Sequence, residues 1–551
     1  MEHDSGMKLR RNLEAQEALI SEICRIAGAP GLSISVLHRG TEVYSHHVGH
    51  ASVKDGKLPD GDTIYFIGSM TKAMVSALVG ILVQDGTLDW KAPVSHILPE
   101  LAHAFDRRGS EITLIDLMSH RIGMARADAL WLQCAGNILL SKSEALDAWI
   151  SQPTVRAFRA DFLYSNFAFE TVGRIIEKST GKTLGAILQE KIFGPLGMTR
   201  TSLNDEFSKD PNAAKAYFPL KDGTPVEVPV PTISDKTIMA ASGGVRSCTN
   251  DLARFYKNLM HAANDQFNHQ RTNTPGSPFK QLSTIWSPHN QLPVHSMRET
   301  SYALAWARTQ LPSPLGSFNY NKHLVPDMPV IGRGLPSRLV VYHGGSMQGF
   351  TSAVYLLPET ETAVFALQNS SALCDACDWV PQMLVQTILS GSPQSDIDFV
   401  QLATVSAARG ATLADEVEEK LQRSQQMGTN SRPLKEYVGR FWHESKSFRI
   451  DVTVDSDETL SMCFQGMPSE TYSLRHLHHD VFVWNEPHDE TARRGRFQMR
   501  PVESYRIRFE STSQGGVIDR LYWLYDETHA EPGLFRREGG AQLAPDVDMP
   551  S

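Results

Sequence analysis

Ser69 and Lys72 stand three residues apart at the head of an apolar run that continues through Met70, Ala73, Met74, Val75, Ala77, Leu78, Val79, Ile81, Leu82 and Val83. On an α-helix, positions i and i+3 share a face, so this spacing sets a hydroxyl beside an amine. The run is apolar on nearly every side, which predicts a buried helix. Asp85-Gly86 ends it. Burial disfavours the charged form of a lysine and turns the amine toward a base. At a helix start the backbone N–H groups point outward and the dipole favours negative charge. A hydroxyl beside a proton acceptor, at a place that stabilises an oxyanion, is an activated nucleophile.

The Ser-x-x-Lys spacing occurs four times, at Ser5–Lys8, Ser69–Lys72, Ser179–Lys182 and Ser277–Lys280. The first lies in a polar N-terminal tail, the third in a turn that closes a helix, and the fourth in a loop that contains Pro278. The second alone opens an apolar helix. Two further segments carry groups that suit it. Tyr164-Ser165-Asn166 offers a phenol, which can act as general base if its pKa is lowered beside a lysine ammonium. It also offers an amide that can brace Lys72 and donate to a substrate carbonyl. His343-Gly344-Gly345-Ser346 follows a predicted strand. Its glycines let a substrate backbone come close, and the N–H of Ser346 can pair with that of Ser69 as an oxyanion hole. Tyr256-Lys257-Asn258 repeats the Tyr-x-Asn spacing inside an amphipathic helix, where a surface role is the simpler reading.

The elements that must position these groups alternate in kind. Residues 1 to 28 read as a polar tail and then an amphipathic helix with Leu19, Ile20, Ile23, Cys24 and Ile26 on its apolar side. Leu32–Leu37 and Glu42–Gly49 read as a hairpin. Short helices are predicted at Ile112–Met118, after the turn Tyr164-Ser165-Asn166 through Val172, Ile175 and Ile176 to Gly181, at Leu184–Phe193 and at Asp251–Met260. Residues 262 to 300, rich in Asn, Gln, Ser and Pro, read as a long loop over a site. Strands follow at Tyr302–Thr309, Leu339–Tyr342, Ser352–Leu357 and Thr362–Leu367. Strands at both ends with helices between them predict an α+β fold, an antiparallel sheet flanked by helices. Near 390 the composition changes. A polar helix at about 400 to 426 leads into short alternating strands, which predict a small all-β barrel-like domain. The expected organisation is a catalytic domain over 1–395, a helical linker over 396–432 and a C-terminal all-β domain over 433–551.

The totals exclude several classes. A chain of 551 residues that is 41% hydrophobic and 21% charged suits a soluble protein of two or more domains. A formal charge of −9 argues against nucleic acid as a partner. Six scattered cysteines form no disulfide framework, and Cys374-Asp-Ala-Cys377 has no second ligand pair to make a metal site. The N-terminus shows no apolar signal core and no run is long enough to cross a bilayer. These features predict a cytoplasmic protein with no membrane partner, no metal and no cofactor.

Ser69-x-x-Lys72, Tyr164-x-Asn166 and His343-Gly344-Gly345, in this order, resemble the serine β-lactamase and penicillin-binding-protein superfamily, and within it the class C-like group of esterases, D-amino-acid peptidases and transesterases. The resemblance covers roughly residues 15 to 390. The segment from Tyr437 looks like the lipocalin-like domain appended to some relatives. The resemblance implies Ser69, Lys72 and Tyr164 as catalytic residues and the amides of Ser69 and Ser346 as the oxyanion hole. It implies Asn166, His343, Gly344 and Gly345 as substrate-binding. His343 replaces a lysine that attracts a carboxylate in β-lactamases, and histidine is mostly neutral at pH 7. The expectation is therefore a serine hydrolase acting through an acyl-enzyme on a small ester, amide or thioester. An acyltransferase or transesterase is the alternative within the class, and a non-catalytic scaffold the alternative outside it.

Overall fold

The computed structural model describes residues 2–105, 108–294, 296–455, 458–497, 501–513 and 515–539. Its first part is built on an eight-stranded antiparallel sheet. The strands are β1 (Gly31–His38), β2 (Thr41–Gly49), β3 (Asn290–Gln291), β4 (Thr300–Tyr302), β5 (Ala307–Gln310), β6 (Leu339–Met347), β7 (Phe350–Leu357) and β8 (Thr362–Gln368). They lie in the order β2-β1-β8-β7-β6-β5-β4-β3, so the hairpin near the N-terminus pairs with the last strand of this part. Such closure needs both termini of the unit, and the period-two strands at either end supply it.

Both faces of this sheet are covered. Leu32, Ile34 and Val36 of β1 pack toward helices α2 (Glu17–Ala27), α7 (Ala376–Ser390) and α8 (Phe399–Arg423). On the other face lie α3 (Thr71–Gln84), α5 (Asn166–Thr180) and α6 (Thr249–Asn268). Twelve of the fourteen residues of α3 are buried, as its apolar circumference requires. Its mean composition leaves no solvent face, so it is the centre of this part of the molecule.

Four expectations are corrected. The N-terminal tail is a helix, α1 (Glu2–Glu14), held because Leu13 is fully buried against the outer core, while Leu19, expected on the apolar side of α2, is exposed. The motif His343–Ser346 lies within β6, not after it. Residues 262 to 300 are not one long loop. α6 runs on to Asn268, and Phe279, Leu282, Ile285 and Trp286 are buried in the core near the far end of α3. There the Gln281 amide donates to Gln84 Oε1 at 2.8 Å. Gly80 of α3 faces the Lys280 carbonyl so closely that a Cβ would lie 2.6 Å from it. The polar composition had masked four large apolar residues with a core to fill.

The second part is a nine-stranded sheet: β9 (Gly439–His443), β10 (Arg449–Val454), β11 (Leu460–Phe464), β12 (Thr471–Ser473), β13 (Arg475–His478), β14 (Val481–Val483), β15 (Arg506–Glu510), β16 (Arg520–Trp523) and β17 (Gly533–Arg537). The order is β12-β11-β10-β9-β17-β16-β15-β14-β13. The two edge strands are separated in sequence by Leu474 alone, so the sheet must curl into a nearly closed barrel. Rings fill its interior, with Phe464 stacked on Trp523 at 4.9 Å and Trp484 edge-on to Trp523 at 5.9 Å. A short helix, α9 (His488–Arg493), sits on its side toward the first part.

α8 bridges the two parts. Ser406 accepts from Trp379 Nε1 at 3.1 Å on the first side, and Glu418 pairs with Arg475 on the second. We propose a domain boundary flanking this helix. Limited proteolysis is expected to nick exposed backbone between 390 and 432, at 391–396 or 425–431, outside the helix itself. Cleavage confined to the first 380 residues would refute that boundary.

Candidate active site

The backbone around Ser69 is fixed by two glycines. Gly68 has φ +50°, and a Cβ there would lie 2.6 Å from the Ser346 amide nitrogen. A Cβ on Gly345 would lie 2.1 Å from the Ile67 carbonyl oxygen. The turn Gly68–Met70 therefore presses directly on β6, which sets the Ser346 amide beside the turn that carries Ser69. Open backbone donors converging there would meet an oxyanion.

Lys72 is fully buried, and its Nζ makes three polar contacts. It lies 3.0 Å from Ser69 Oγ, 2.9 Å from Asn166 Oδ1 and 2.6 Å from the Ser242 carbonyl. Two of these partners can only accept. Asn166 is oriented by its other end, where Nδ2 donates to Asp128 Oδ1 at 3.0 Å, and a carboxylate cannot donate back. A neutral amine has two N–H groups and one lone pair, so it satisfies Asn166 and Ser242 and turns the lone pair to the Ser69 hydroxyl. Burial drives Lys72 toward that state and holds its pKa well below the usual lysine value, with the Asp128 charge opposing.

Tyr164 OH donates to Ser69 Oγ at 2.8 Å. Burial raises this phenol above its ordinary range, so the expected lowering of its pKa is corrected. The lysine carries the base-like shift, and the tyrosine stays protonated as a donor. Its ring lies over Lys72 Nζ at 4.9 Å and packs on His120 at 4.4 Å between centroids.

His343 is turned away from solvent. Its Nδ1 donates to the Gly344 carbonyl at 2.6 Å, its Nε2 accepts from Tyr302 OH at 2.9 Å, and its ring stacks on Phe318 at 4.9 Å. Burial pushes it down to about 3, so it is neutral. It shapes the wall behind Tyr164 rather than reaching outward. Gly344 faces the Asn319 side chain and the Phe318 carbonyl, where a Cβ would lie 2.3 Å and 2.7 Å from their oxygens. The expected donation by Asn166 to a substrate meets a side chain already engaged at both ends.

Several residues joined the site without a motif. Asp128 accepts from Asn166 and from Trp131 Nε1 at 3.0 Å. His120, in the segment after the helix α4 (Leu114–Met118), accepts from the Ser165 amide through Nδ1 at 3.2 Å. Ser242 contributes through its main chain, for which no side-chain type could speak. The second part also reaches this network. Asp526 accepts from the Ala127 amide at 2.6 Å, and Glu527 pairs with Arg126, which pairs with Asp128 at 3.2 Å.

A family model described as Beta-lactamase matches residues 16–381. The chain belongs to the beta-lactamase family. A second model, Domain of unknown function (DUF3471), matches residues 424–532, which span most of the barrel-like part. The chain is 27% identical over 353 residues to "Unguisins hydrolase ungD'" of Aspergillus campestris, covering 62% of this chain and 59% of that one. It is 23% identical to "Serine beta-lactamase-like protein LACTB, mitochondrial" of Mus musculus, covering 63% and 73%. Among solved structures, the octameric penicillin-binding protein homologue from Pyrococcus abyssi aligns with a TM-score of 0.54 at 19% identity, covering 95% of this chain and 99% of that one. D-alanine carboxypeptidase AmpC from Burkholderia cenocepacia aligns with 0.52 at 21%, covering 69% and 99%. The beta-lactamase-like fold and its helix-flanked antiparallel sheet are thus shared, and the first relative extends well beyond the matched stretch.

Asp128 gives a testable handle on this network. Asp128→Ala removes a charge-assisted hydrogen bond to Asn166, a loss of about 1.5–3 kcal/mol, and kcat is expected to fall about tenfold or more with little change in KM. Its charge also holds the Lys72 pKa up, so the acid limb of the pH–rate profile moves to lower pH in the variant. An unmoved limb would show that Asp128 acts on folding alone.

Proposed function

We propose that this protein is a serine hydrolase that forms an acyl-enzyme on Ser69 with a small ester or amide. The observation that carries the reading is the Lys72 amine, fully buried and aimed at Ser69 Oγ with its other contacts both acceptors. Lys72 takes the Ser69 proton as Oγ bonds to the substrate carbonyl carbon. The amides of Ser69 and Ser346 receive the oxyanion. The bond to the leaving group breaks, and that group takes a proton from Tyr164, which Lys72 restores. Water then loses a proton to Lys72 and attacks the ester carbon; the bond to Ser69 Oγ breaks, Lys72 returns the proton to Oγ, and the acid leaves. Asn166 holds Lys72, while His343 and Gly344–Gly345 hold the shape of the strand edge along which substrate lies. A neutral, buried His343 offers no fixed charge there, which favours a substrate with no carboxylate at that end.

Water is the favoured acceptor. The relative from Aspergillus campestris, and one from Aspergillus violaceofuscus that is 23% identical over 453 residues, are both named hydrolases. Phe279 and Trp286 of the segment 262–300, which would have favoured a covered site and acyl transfer, are buried in the core near the far end of α3 instead. The deciding experiment supplies an activated acyl ester with a range of alcohols and amines and measures free acid against transferred product. Free acid at every acceptor concentration supports hydrolysis. Dominant transfer at millimolar acceptor against roughly 55 M water needs an acceptor site that positions its ligand, and would replace the hydrolase with a transferase.

A further inference from the structure

Ser346 is exposed, and beside it a cleft opens between the two parts of the molecule. Phe218, Leu373 and Ala372 form its wall on the first part, and Phe497 and His488 its wall on the second. The two walls are joined, because His488 Nε2 donates to the Pro219 carbonyl at 3.1 Å and the Phe218 and Phe497 rings lie 6.1 Å apart. The free volume is about 100 Å³. A cavity of about 150 Å³ holds benzene, so this one suits a chain of about four carbons.

Ser346, Thr351, Ser371 and Asp375 interrupt the apolar lining, and Asp375 is its one carboxyl group. Asp375 is 4% exposed and lines the cleft. Its Oδ2 accepts from Asn319 Nδ2 at 2.9 Å, the Tyr320 amide and the Thr351 hydroxyl also face the carboxyl, and Oδ1 has no partner in hydrogen-bond geometry. A buried carboxyl oxygen without a donor is costly, and a nitrogen donor brought by a ligand would remove that cost.

Position along β6 says which half of the substrate comes here. Tyr164, which gives its proton to the leaving group, lies against His343 with 6.1 Å between ring centroids. Ser346 is three residues further on, about 10 Å along an extended strand. The leaving group therefore lies at the His343 end and the acyl group at the Ser346 end.

We propose that this cleft is an acyl-side specificity pocket, shared between the two parts of the chain, for an apolar chain of about four carbons that carries a nitrogen donor to Asp375. The proposal rests on the acyl-enzyme reading above. It makes the barrel-like domain part of the substrate site.

The test uses the full-length protein and 4-nitrophenyl esters of acetic, butanoic, hexanoic, heptanoic and 6-aminohexanoic acids. Ratios of kcat/KM within one preparation do not depend on the folded fraction. In the wild type, kcat/KM is expected to rise about fourfold per buried methylene up to the hexanoyl ester. The 6-aminohexanoyl ester should exceed the heptanoyl ester of the same length. Ala372→Leu should flatten the length series, and Phe497→Ala, in the second part, should move its optimum to a longer chain. Turnover with a flat series, or a series unchanged in both variants, overturns the pocket and leaves the acyl-enzyme reading intact. A heptanoyl ester preferred over its amine overturns the role of Asp375. Absence of turnover and of Ser69 acylation with every ester overturns both readings together.

Discussion

A fluorophosphonate is expected to label Ser69 and no other serine, and Ser69→Ala to lose the label together with turnover. The fall should be on the order of 10⁴–10⁶-fold, the scale on which loss of a serine nucleophile acts. Among the described Ser-x-x-Lys serines, Ser69 alone has a buried amine and a phenol on its oxygen, at 3.0 Å and 2.8 Å. The lysine of the third pair, Lys182, is bound to Glu190 at the surface instead. Ser277 only caps a local turn, accepting from the Phe279 amide at 3.2 Å. Peptide mapping after labelling decides the matter. Label on Ser179 or Ser277 with Ser69 unmodified would refute the assignment, and an unlabelled, folded protein would favour the scaffold alternative.

Lys72→Ala is expected to lower kcat/KM by about 10²–10⁴-fold, the usual contribution of a general base, with the fold retained. The pH profile of the wild type carries the sharper test. Activity requires the free amine, so the rate rises with pH as Lys72 loses its proton. Burial lowers that pKa well below the ordinary lysine value, which moves the rising limb far to the acid side of 10.5. Tyr164 must remain protonated, and burial raises its pKa, so the alkaline fall comes above the range of an ordinary phenol. The profile is then flat between the lowered lysine limb and the raised tyrosine limb. A phenolate at Tyr164 would reverse these assignments, and Tyr164→Phe would abolish the rising limb. If that limb persists in Tyr164→Phe with reduced kcat, the lysine is the titrating base.

The Ser69–Lys72 pair was legible because its relation is local. An i, i+3 pair on an apolar helix is a property of Ser69, Lys72 and the run behind them, and helical geometry carries it into space unchanged. β1 was legible for the same reason, since Leu32–Leu37 alternates at period two, and β7 and β8 were legible as short apolar runs separated by Pro358-Glu359-Thr360-Glu361. Tyr164 and His343 were visible as residue types but were joined to Ser69 only through the order of motifs. Tertiary structure decided what local pattern does not encode. The charge states of Lys72 and Tyr164 depend on how much water the surrounding elements exclude, and those elements come from residues 128, 166 and 242, brought together by packing. Asp128 had no signature at any helical or strand spacing, and Ser242 acts through a carbonyl that every residue type shares. His343 turned inward because Tyr302 and Phe318, from separate segments, close over it. Residues 262–300 carried a loop's composition, yet Phe279, Leu282, Ile285 and Trp286 gained more from covering α3 than from water, and burial of a few large side chains outweighs a polar average. The wall that Phe497 and His488 add beside Ser346 rests on contacts between residues more than a hundred positions apart, which the three-dimensional packing of the two sheets alone could set.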